Sequence, residues 1–225
     1  MDKRILLLIG GGHDTGVKAM SNELKTKFDS LFPESNIKVI DIDYEQEYMI
    51  SPARIKRSYS NEDYDFDVLY NTLTHQSEHK AEGEVDIIIV CGCYALYNQK
   101  INELANLRVF VESDGDVRLI NKIRSENIDN SEQLATTLQE YLQNLRPEME
   151  NYIEPTRVHA HLIIPYANKD SGVAIIVDGM VKIVNEVSNS GSPDRQNSKE
   201  IARNQLYDFL GESMDNERSR YYDLA

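Results

Sequence analysis

The sequence lacks a long run of apolar residues near its start. The one run that it has there is too short to span a membrane. The opening stretch MDKRILLLIGGG carries one short apolar run, residues 5–9, before three glycines follow. A secretory leader needs an apolar region of about 7–15 residues, and a membrane-spanning helix needs about 20. The sequence therefore predicts an intracellular protein without a membrane partner, in the cytoplasm, with the nucleus left open.

Positive charge is also scarce in this chain. The sequence has 24 Lys and Arg against 38 Asp and Glu, which gives a formal net charge of −14. Such a balance repels the phosphate backbones of nucleic acids and the surfaces of anionic lipid membranes. The composition therefore argues against a nucleic-acid partner.

Residues that make disulfides or metal sites are few. Cys91 and Cys93 are the only cysteines, and their C-x-C spacing at the end of an apolar run suits buried, reduced thiols better than a disulfide. His159 and His161 would share one face of a strand, as some metal ligands do. No third ligand is near them in the sequence, so no metal site is predicted from these residues.

What the sequence does contain is an alternation of short apolar runs with helical stretches. The runs are apolar on both faces, as parallel strands covered by helices are. The alternation predicts an α/β fold, one domain with a parallel sheet and helices on both faces. The predicted strands are residues 4–9, 37–42, 85–90, 107–111 and 161–165, and the predicted helices are 17–31, 116–127 and 132–145, the last ending in a break at Arg146-Pro147.

The C-terminal part of the chain allows two interpretations. Residues 172–184 form two β-branched runs around Asp178-Gly179, which is typical of a hairpin, but their apolar residues also fit a helical stripe. After this segment the composition turns polar. We therefore predict a main domain over residues 1–187 and, over residues 188–225, a polar linker with a short C-terminal helix and a loosely held tail.

The sequence IGGGHDTGVKAM at residues 9–20 is the strongest functional signal from the residues themselves. A phosphate-binding P-loop reads G-x-x-x-x-G-K-[ST], in which the lysine reaches the phosphates and the hydroxyl holds Mg²⁺. Gly11 and Gly16 have the required spacing, but Val17 and Lys18 follow where the lysine and the hydroxyl should stand. Successive helical residues point about 100° apart, so Lys18 would project toward the Mg²⁺ position instead. The candidate phosphate-binding residues are Gly11, Gly12, His13, Asp14, Thr15, Gly16 and Val17.

Asp14 is an unfavourable residue inside a phosphate loop. A carboxylate about 4 Å from a phosphate oxygen is repelled by about 4 kcal/mol at an effective dielectric near 20. A helix N-terminus attracts a charge by less than about 1 kcal/mol, and His13 would compensate only when protonated. The alternative is that Asp14 or Thr15 is an ordinary N-cap of the helix after a glycine turn.

Two longer stretches carry a resemblance to a known family. They are VDIIIVCGCYALYNQKINELANLRVFVESDGDVRL at residues 85–119 and EYLQNLRPEMENYIEPTRVHAHLIIPYANKDSGVAIIV at residues 140–177. They resemble the uridine kinase (uridine–cytidine kinase) family, whose patterns include EGI-x-A-x-Y, LxxFVDTDADxRL and QYxxxVKPAFEEFxxPTKKYADVIIPRG. The resemblance implies a P-loop NTPase-type three-layer fold with a five-stranded parallel sheet. It also favours a helix over residues 173–187.

The resemblance implies ATP and Mg²⁺ as the cofactors, but this chain departs from the family at the catalytic positions. Cys91 stands where the family has a glutamate at the end of the third strand, and a thiol is a poor ligand for Mg²⁺. Asp43, or the adjacent Asp41, is the counterpart of the family's general base. Asp43 and Lys18 are therefore the candidate catalytic residues, and no metal ligand set is predicted.

The family also has a lid helix that closes over ATP and a nucleoside-binding segment. Compared with the family pattern, both segments of this chain lack expected residues. Lys122 and Arg124 are the only cations at residues 121–132, where the family carries several arginines. Arg118 matches the arginine of DADxRL. Asp63, Tyr70 and His75 match the nucleoside-binding positions in a region shortened by more than ten residues, and Ser77 and Lys80 stand near the place of a missing arginine.

These departures lead to two main functional hypotheses, and a third possibility is a purely structural partner role that uses the acidic surface and the polar tail from Ser188. The first is an ATP-dependent kinase that phosphorylates uridine or cytidine to UMP or CMP in pyrimidine salvage, with weak or lost activity. The second is a pseudoenzyme that senses a nucleoside or nucleotide, or regulates an active relative by pairing with it. Because uridine kinases commonly oligomerise, a homo-oligomer or a hetero-oligomer with an active relative is expected.

Overall fold

A five-stranded parallel sheet forms the centre of the chain, with the strand order β2-β3-β1-β4-β5. The structure is a computed structural model that describes residues 4–50, 57–75 and 85–189, with side chains up to residue 187. Each predicted apolar run coincides with a strand to within two residues at its ends, and the predicted α/β fold class is confirmed. The strands are β1 (Arg4–Gly11), β2 (Asn36–Asp41), β3 (Asp86–Gly92), β4 (Leu107–Glu112) and β5 (Leu162–Pro165).

The inner strands are buried on both faces. Every residue of β3 is buried, and β1 is buried from its second residue onward. Helices connect the parallel strands, as crossover connections of this kind require. The helices are α1 (Val17–Leu31), α2 (Phe66–Thr74), α3 (Gln99–Leu104), α4 (Gly115–Ser125), α5 (Ser131–Glu140), α6 (Arg146–Glu148) and α7 (Lys169–Asn189). No helix in the described ranges is long and apolar enough to span a membrane.

The predicted break at Arg146-Pro147 is wrong. The chain stays helical through this point, because π-helical turns at Tyr141–Leu145 and Met149–Ile153 flank α6. Pro147 has no N–H to donate, and the π-helical turns before and after α6 accommodate this interruption of the hydrogen-bond ladder. Leu145, Met149 and Ile153 are all buried, so packing at four-residue spacing holds the helix across the proline.

The segment at residues 172–184 is a helix, so the hairpin interpretation is wrong. α7 buries Val173, Ile176, Met180 and Val184 along one stripe. Gly172 allows the close approach of α7 to β5, because a Cβ there would overlap the side chain of Ile164. The predicted linker and C-terminal helix lie outside the described residues, apart from the end of α7, and stay predictions.

Candidate functional site

The candidate site lies where the carboxyl ends of parallel strands meet at one edge of the sheet. The loop after β1 carries residues 12–16, and Asp43 follows β2. Cys93 follows β3, and the turn after β4 leads into α4. Open α/β sheets bind ligands at this edge, next to the strands where the connections diverge. The register places Ile9 beside Cys91 and Asp41 beside Cys91, so these three strand ends are neighbours.

The loop after β1 has the backbone shape of an anion cradle. Asp14 and Gly16 adopt left-handed conformations with φ of 58° and 74°. The Thr15 side chain donates a hydrogen bond to the Gly12 carbonyl at 2.7 Å, which closes the turn. Successive amides in such turns point into a concavity that favours anions, and the first amides of a helix have no intrahelical partner.

Neither Asp14 nor Thr15 caps α1, so the N-cap interpretation of these residues is wrong. The N-cap is Gly16, and no side chain bonds to the first turn from that position. Thr15 is used within the turn, and the side chain of Asp14 lies toward α4, where Ser125 Oγ is 3.4 Å away. Gly16 is exposed, and a Cβ there would meet only the Tyr166 ring, at 3.8 Å. The N-terminus of α1 is therefore open to solvent.

Gly11 and Gly12 are required by protein packing at this loop. A Cβ on Gly11 would come within 2.9 Å of the Val111 carbonyl oxygen. A Cβ on Gly12 would come within 2.8 Å of Met149 Sδ and 2.9 Å of Arg118 Cδ. Arg118 thus lies over the loop, and its guanidinium donates to the Ser113 carbonyl.

Lys18 pairs with an acidic side chain at the end of β2. Its Nζ lies 3.1 Å from Asp41 Oδ2 and 3.7 Å from the centre of the Tyr44 ring. The hydrogen bond to Asp41 raises the pKa of Lys18, so the ammonium stays charged at neutral pH. Lys18 therefore projects toward the end of β2, where it reaches a carboxylate.

Both carboxylate oxygens of Asp43 accept hydrogen bonds. The Tyr64 hydroxyl donates to Oδ1 at 2.8 Å, and the Cys93 backbone N–H donates to Oδ2 at 2.8 Å. Burial, reinforced by the charge of Asp43, raises the pKa of Tyr64 far above its usual range. Asp43 is thus held in a fixed orientation by groups that remain neutral donors.

The two cysteines are free and buried. Burial raises the pKa of Cys91 to about 12, so a neutral thiol stands at the end of β3. Burial also raises the pKa of Cys93, and its Sγ lies 3.3 Å from His13 Nδ1. Both thiols therefore belong to the packed interior beneath the loop.

Glu148 is the centre of a buried polar network that sequence reasoning missed. Its side chain has no exposed surface, and its Oε2 lies 2.8 Å from His13 Nε2. Arg57 Nη2 and the Tyr94 hydroxyl approach Oε1 at 2.9 and 3.0 Å. One signal was available in the sequence, because a charged residue stands here where the family pattern has alanine.

Asp14 is a partly buried carboxylate on the α4 side of the loop. Burial raises the pKa of Asp14, and the charges of Lys122 and His13 offset only part of that effect. Asn121 donates to the Asp14 carbonyl at 2.9 Å, so α4 is tied to the loop. The loop therefore carries an internal negative charge close to its cradle.

The lid cation Lys122 is already neutralised. Its Nζ lies 2.6 Å from Glu126 Oε1 and 3.3 Å from Glu140 Oε2. Arg124 lies on the same helix, α4, and is exposed. Of the two predicted lid cations, one is therefore committed to internal carboxylates.

The three candidate nucleoside residues serve different local structures. Asp63 accepts bonds from Ser58 and from the Tyr59 N–H, and it lies 3.6 Å from Arg57 Nε. Burial raises the pKa of Asp63, but these donors lower it by more, so the pKa of Asp63 is lowered overall.

The other two candidate nucleoside residues lie on α2. Tyr70 packs against the core, whereas His75 is exposed at the C-terminal end of α2. Among the described residues no hydrogen bond or ion pair joins these three side chains to one another, and Ser77 and Lys80 lie outside the described ranges.

The histidine pair near β5 forms no metal site in the part of the chain that the structure describes. The Arg108 N–H donates to His161 Nδ1 at 3.3 Å, and the ring of His159 is exposed. Within the described ranges no group of three or more His, Cys, Asp or Glu could hold a metal ion.

The residues at the sheet edge fit a phosphate better than they fit Mg²⁺. Mg²⁺ needs hard oxygen ligands in an octahedral arrangement. Here Asp41 is paired with Lys18, both oxygens of Asp43 accept hydrogen bonds, and Cys91 is a neutral thiol. The backbone cradle suits the phosphates of ATP, but Mg²⁺ does not fit this donor set.

Comparisons with known proteins agree with this architecture. The protein-family model described as "Phosphoribulokinase / Uridine kinase family" matches residues 47–171. The Saccharomyces cerevisiae protein named "Putative uridine kinase DAS2" is 46% identical over 233 aligned residues, which cover 100% of this chain and 97% of that protein. A uridine kinase of Lactococcus lactis subsp. cremoris is 26% identical and covers 83% of this chain and 100% of its own length.

A solved structure shares the fold at low sequence identity. The "putative fructose transport system kinase from Silicibacter sp. TM1040" has a TM-score of 0.55 and 15% identity to this chain. The match covers 73% of this chain and 91% of that one. At this identity the likeness concerns the fold alone.

Proposed function

Because the chain belongs to the phosphoribulokinase/uridine kinase family, we propose that it is a uridine kinase-like protein whose phosphoryl transfer to uridine or cytidine is weak or lost. The observation that carries the proposal is the pairing of Lys18 with Asp41 at 3.1 Å. Lys18 is the only lysine or arginine between residues 5 and 24, so it is the one cation that the loop sequence supplies. Its pairing with Asp41 offsets part of the positive charge that Lys18 could offer to the transferring phosphate.

Charge neutralisation is the main requirement that this site fails. Phosphoryl transfer depends on positioning and on cations around the transferring group, with little covalent work by the protein. Val17 replaces the loop lysine, and Lys122 is held by Glu126 and Glu140. A single missing charge clamp can cost about 10³–10⁵-fold in rate, so the turnover number is expected to fall far below the range of about 1–100 s⁻¹ for kinases.

A residual reaction would use Asp43. Its position after β2 and its fixed orientation allow it to accept a proton from the 5′-hydroxyl of a nucleoside. Lys18 would supply the nearest positive charge. ATP and Mg²⁺ are the cofactors that the family implies, and the poor Mg²⁺ ligand set supports a slow reaction.

A direct assay tests the proposal. Purified protein is incubated with ATP, Mg²⁺ and uridine or cytidine, and the formation of UMP or CMP is followed by chromatography. We expect turnover below about 10⁻² s⁻¹, on the scale of the loss for one charge clamp. The matched control is the Lys18→Ala, Asp43→Ala double variant, which should form product no faster than the buffer blank. Turnover of about 1 s⁻¹ or more by the wild-type chain, abolished in this variant, would overturn the proposal.

The second candidate function is a nucleoside- or nucleotide-sensing regulator that acts through a protein partner. The buried network around Glu148 supports it, because His13 and Arg57 pair there with a protein carboxylate, which leaves less positive charge for a transferring phosphate. We propose a homo-oligomer or a hetero-oligomer with an active relative as its working state, in the cytoplasm.

This second candidate has separate tests. A ligand that binds only the folded chain must raise its unfolding temperature, so uridine, cytidine, UTP and ATP are compared at millimolar concentration. Size-exclusion chromatography with an active uridine kinase then tests pairing. Absence of both a thermal shift and co-elution would exclude the regulator.

A further inference from the structure

Lys18 is one reason why the residues of this site do not suit Mg²⁺. In the P-loop pattern the residue at this position is a serine or threonine whose hydroxyl holds Mg²⁺. Here the position carries an ammonium group, 3.1 Å from a carboxylate oxygen of Asp41. A divalent cation placed beside this ammonium group would be repelled by its positive charge.

From this arrangement we infer that Lys18 takes the place of the divalent cation, so that the loop binds the polyphosphate of a nucleoside triphosphate in its metal-free form. The inference rests on the proposed uridine kinase-like function and specifies the ligand form of the same site. It also agrees with slow transfer, because a metal-free triphosphate lacks the ion that bridges its β and γ oxygens.

The geometry of Lys18 leaves donors available for a ligand. An ammonium group has three N–H donors, and Asp41 accepts from one direction only. The Lys18 side chain keeps 52% of its surface exposed, so a ligand in solvent can reach it. Asp41 and the Tyr44 ring fix the position of the ammonium group, which limits the entropy that binding would cost.

The backbone supplies the second half of the proposed site. The left-handed residues Asp14 and Gly16 lead directly into α1, and the first amides of a helix have no intrahelical partner and attract anions. Lys18 is in the first turn of this helix. Amides and one fixed ammonium group together suit an anionic phosphate chain, whereas they offer no oxygen ligand to a metal.

Isothermal titration calorimetry with ATP tests the inference, in EDTA and in excess MgCl₂ at matched ionic strength. We expect tighter binding in EDTA, by about fivefold or more, because Mg²⁺ on the phosphates repels Lys18. Tripolyphosphate in place of ATP should show the same preference for the metal-free condition. AMP should bind at least about tenfold more weakly, since it lacks the β and γ phosphates.

Three variants assign the effect to Lys18. Lys18→Ser restores a hydroxyl and should weaken metal-free binding by at least about tenfold, the usual scale for a lost charge-assisted hydrogen bond. Lys18→Arg keeps the charge and should retain the preference for EDTA. The matched control is Lys25→Ser on the same helix, where an exposed lysine pairs with Asp29 at 2.6 Å, and it should bind as the wild type does.

The outcomes separate this inference from the proposed function. Binding that MgCl₂ strengthens would overturn the inference, and so would the absence of any heat of binding at millimolar ATP in both conditions. Neither result touches the proposed function, which is judged by UMP formation alone. Equal binding by Lys18→Ser and wild type in EDTA would also overturn the inference.

Discussion

At the scale of single residues, Glu148 links parts of the chain that are far apart in sequence. It joins His13 of the loop to Arg57, and the Tyr94 hydroxyl completes the set. A buried carboxylate is costly unless each oxygen is paired and hydrogen-bonded, and here both oxygens are. The side chains of this network fill the protein interior beside the loop.

Replacing Glu148 should reveal how strongly the network stabilises the fold. Glu148→Ala is expected to lower the free energy of unfolding by about 2–3 kcal/mol, because His13, Arg57 and Tyr94 lose their common acceptor. This figure is below the loss of about 3–5 kcal/mol that is usual for broken buried pairs, since the Arg57 side chain, 36% exposed, can regain water. Urea unfolding followed by circular dichroism measures it.

The control for this prediction is two residues away. Glu150 is an exposed carboxylate that pairs with Arg146 at 2.9 Å, and Glu150→Ala should change stability by less than about 0.5 kcal/mol. Equal losses for the two variants would show that the Glu148 network contributes nothing specific.

Asp14 gives a prediction with a defined pH dependence. Burial raises its pKa in the folded state, so the unfolded chain loses this proton first as the pH rises above about 3.9. Stability is therefore lost as the pH rises through the interval up to the folded pKa, and the loss persists at pH 7. Asp14→Asn should unfold at a higher temperature than wild type at pH 7, with the difference narrowing toward pH 4.

Asparagine suits this test because it tolerates the left-handed backbone at position 14, where φ is 58°. Asp178→Asn, at an exposed site on α7, controls for the loss of one negative charge. A gain that is the same at pH 4 and pH 7, or is matched by the control, would contradict the assignment to Asp14.

At the scale of elements, α7 depends on a close contact with β5. Gly172 lies against Ile164, and a Cβ there would come within 2.7 Å of Ile164 Cδ1 and closer still to Ile164 Cγ2. Gly179 lies on the same helix, with nothing within 4 Å of an added Cβ. The two glycines therefore make a matched pair.

Alanine substitutions should act in opposite directions at these two positions. Gly172→Ala is expected to lower the free energy of unfolding by about 1–3 kcal/mol, because overpacking outweighs the gain in helix propensity. Gly179→Ala should raise it by up to about 1 kcal/mol through propensity alone. Chemical denaturation of both variants measures the difference, and stabilisation by Gly172→Ala would show that α7 can move away from β5.

The π-helical turns around Pro147 explain why local rules failed in this element. The rule that proline breaks a helix considers only the backbone of that helix. Here the side chains of Leu145, Met149 and Ile153 are buried in the core, and this packing is not visible to the rule. Their burial keeps the chain helical and so aims Glu148 at the loop. A local break here would have removed that network.

At the scale of the whole molecule, the net charge of −14 opposes compactness. Like charges on a folded chain repel one another more than they do in the expanded chain, and salt screens this repulsion. Raising NaCl from about 20 mM to about 300 mM should therefore raise the unfolding temperature at pH 7.

Differential scanning calorimetry at several salt concentrations checks this expectation. The effect should shrink toward pH 5, where the net charge approaches zero because the sequence pI is about 4.8. NaCl is preferable to sulfate, which also strengthens apolar burial. An unfolding temperature that falls with NaCl would show that internal ion pairs outweigh the net repulsion.

The sequence by itself determined the strands, the glycine spacing and the missing loop lysine. These features depend on local composition and on periodicity, so the chain order of residues specifies them. Even the ambiguous helix α7 followed from its apolar stripe once the family resemblance was considered.

Only the tertiary structure decided which charges meet. His13 and Glu148 are 135 residues apart, and Arg57 and Glu148 are 91 apart, so no local pattern could pair them. The same holds for Lys18, whose contact with Asp41 depends on where α1 starts relative to the end of β2. Electrostatic pairing acts over a few ångströms in space, and only the packed sheet and helices set those distances.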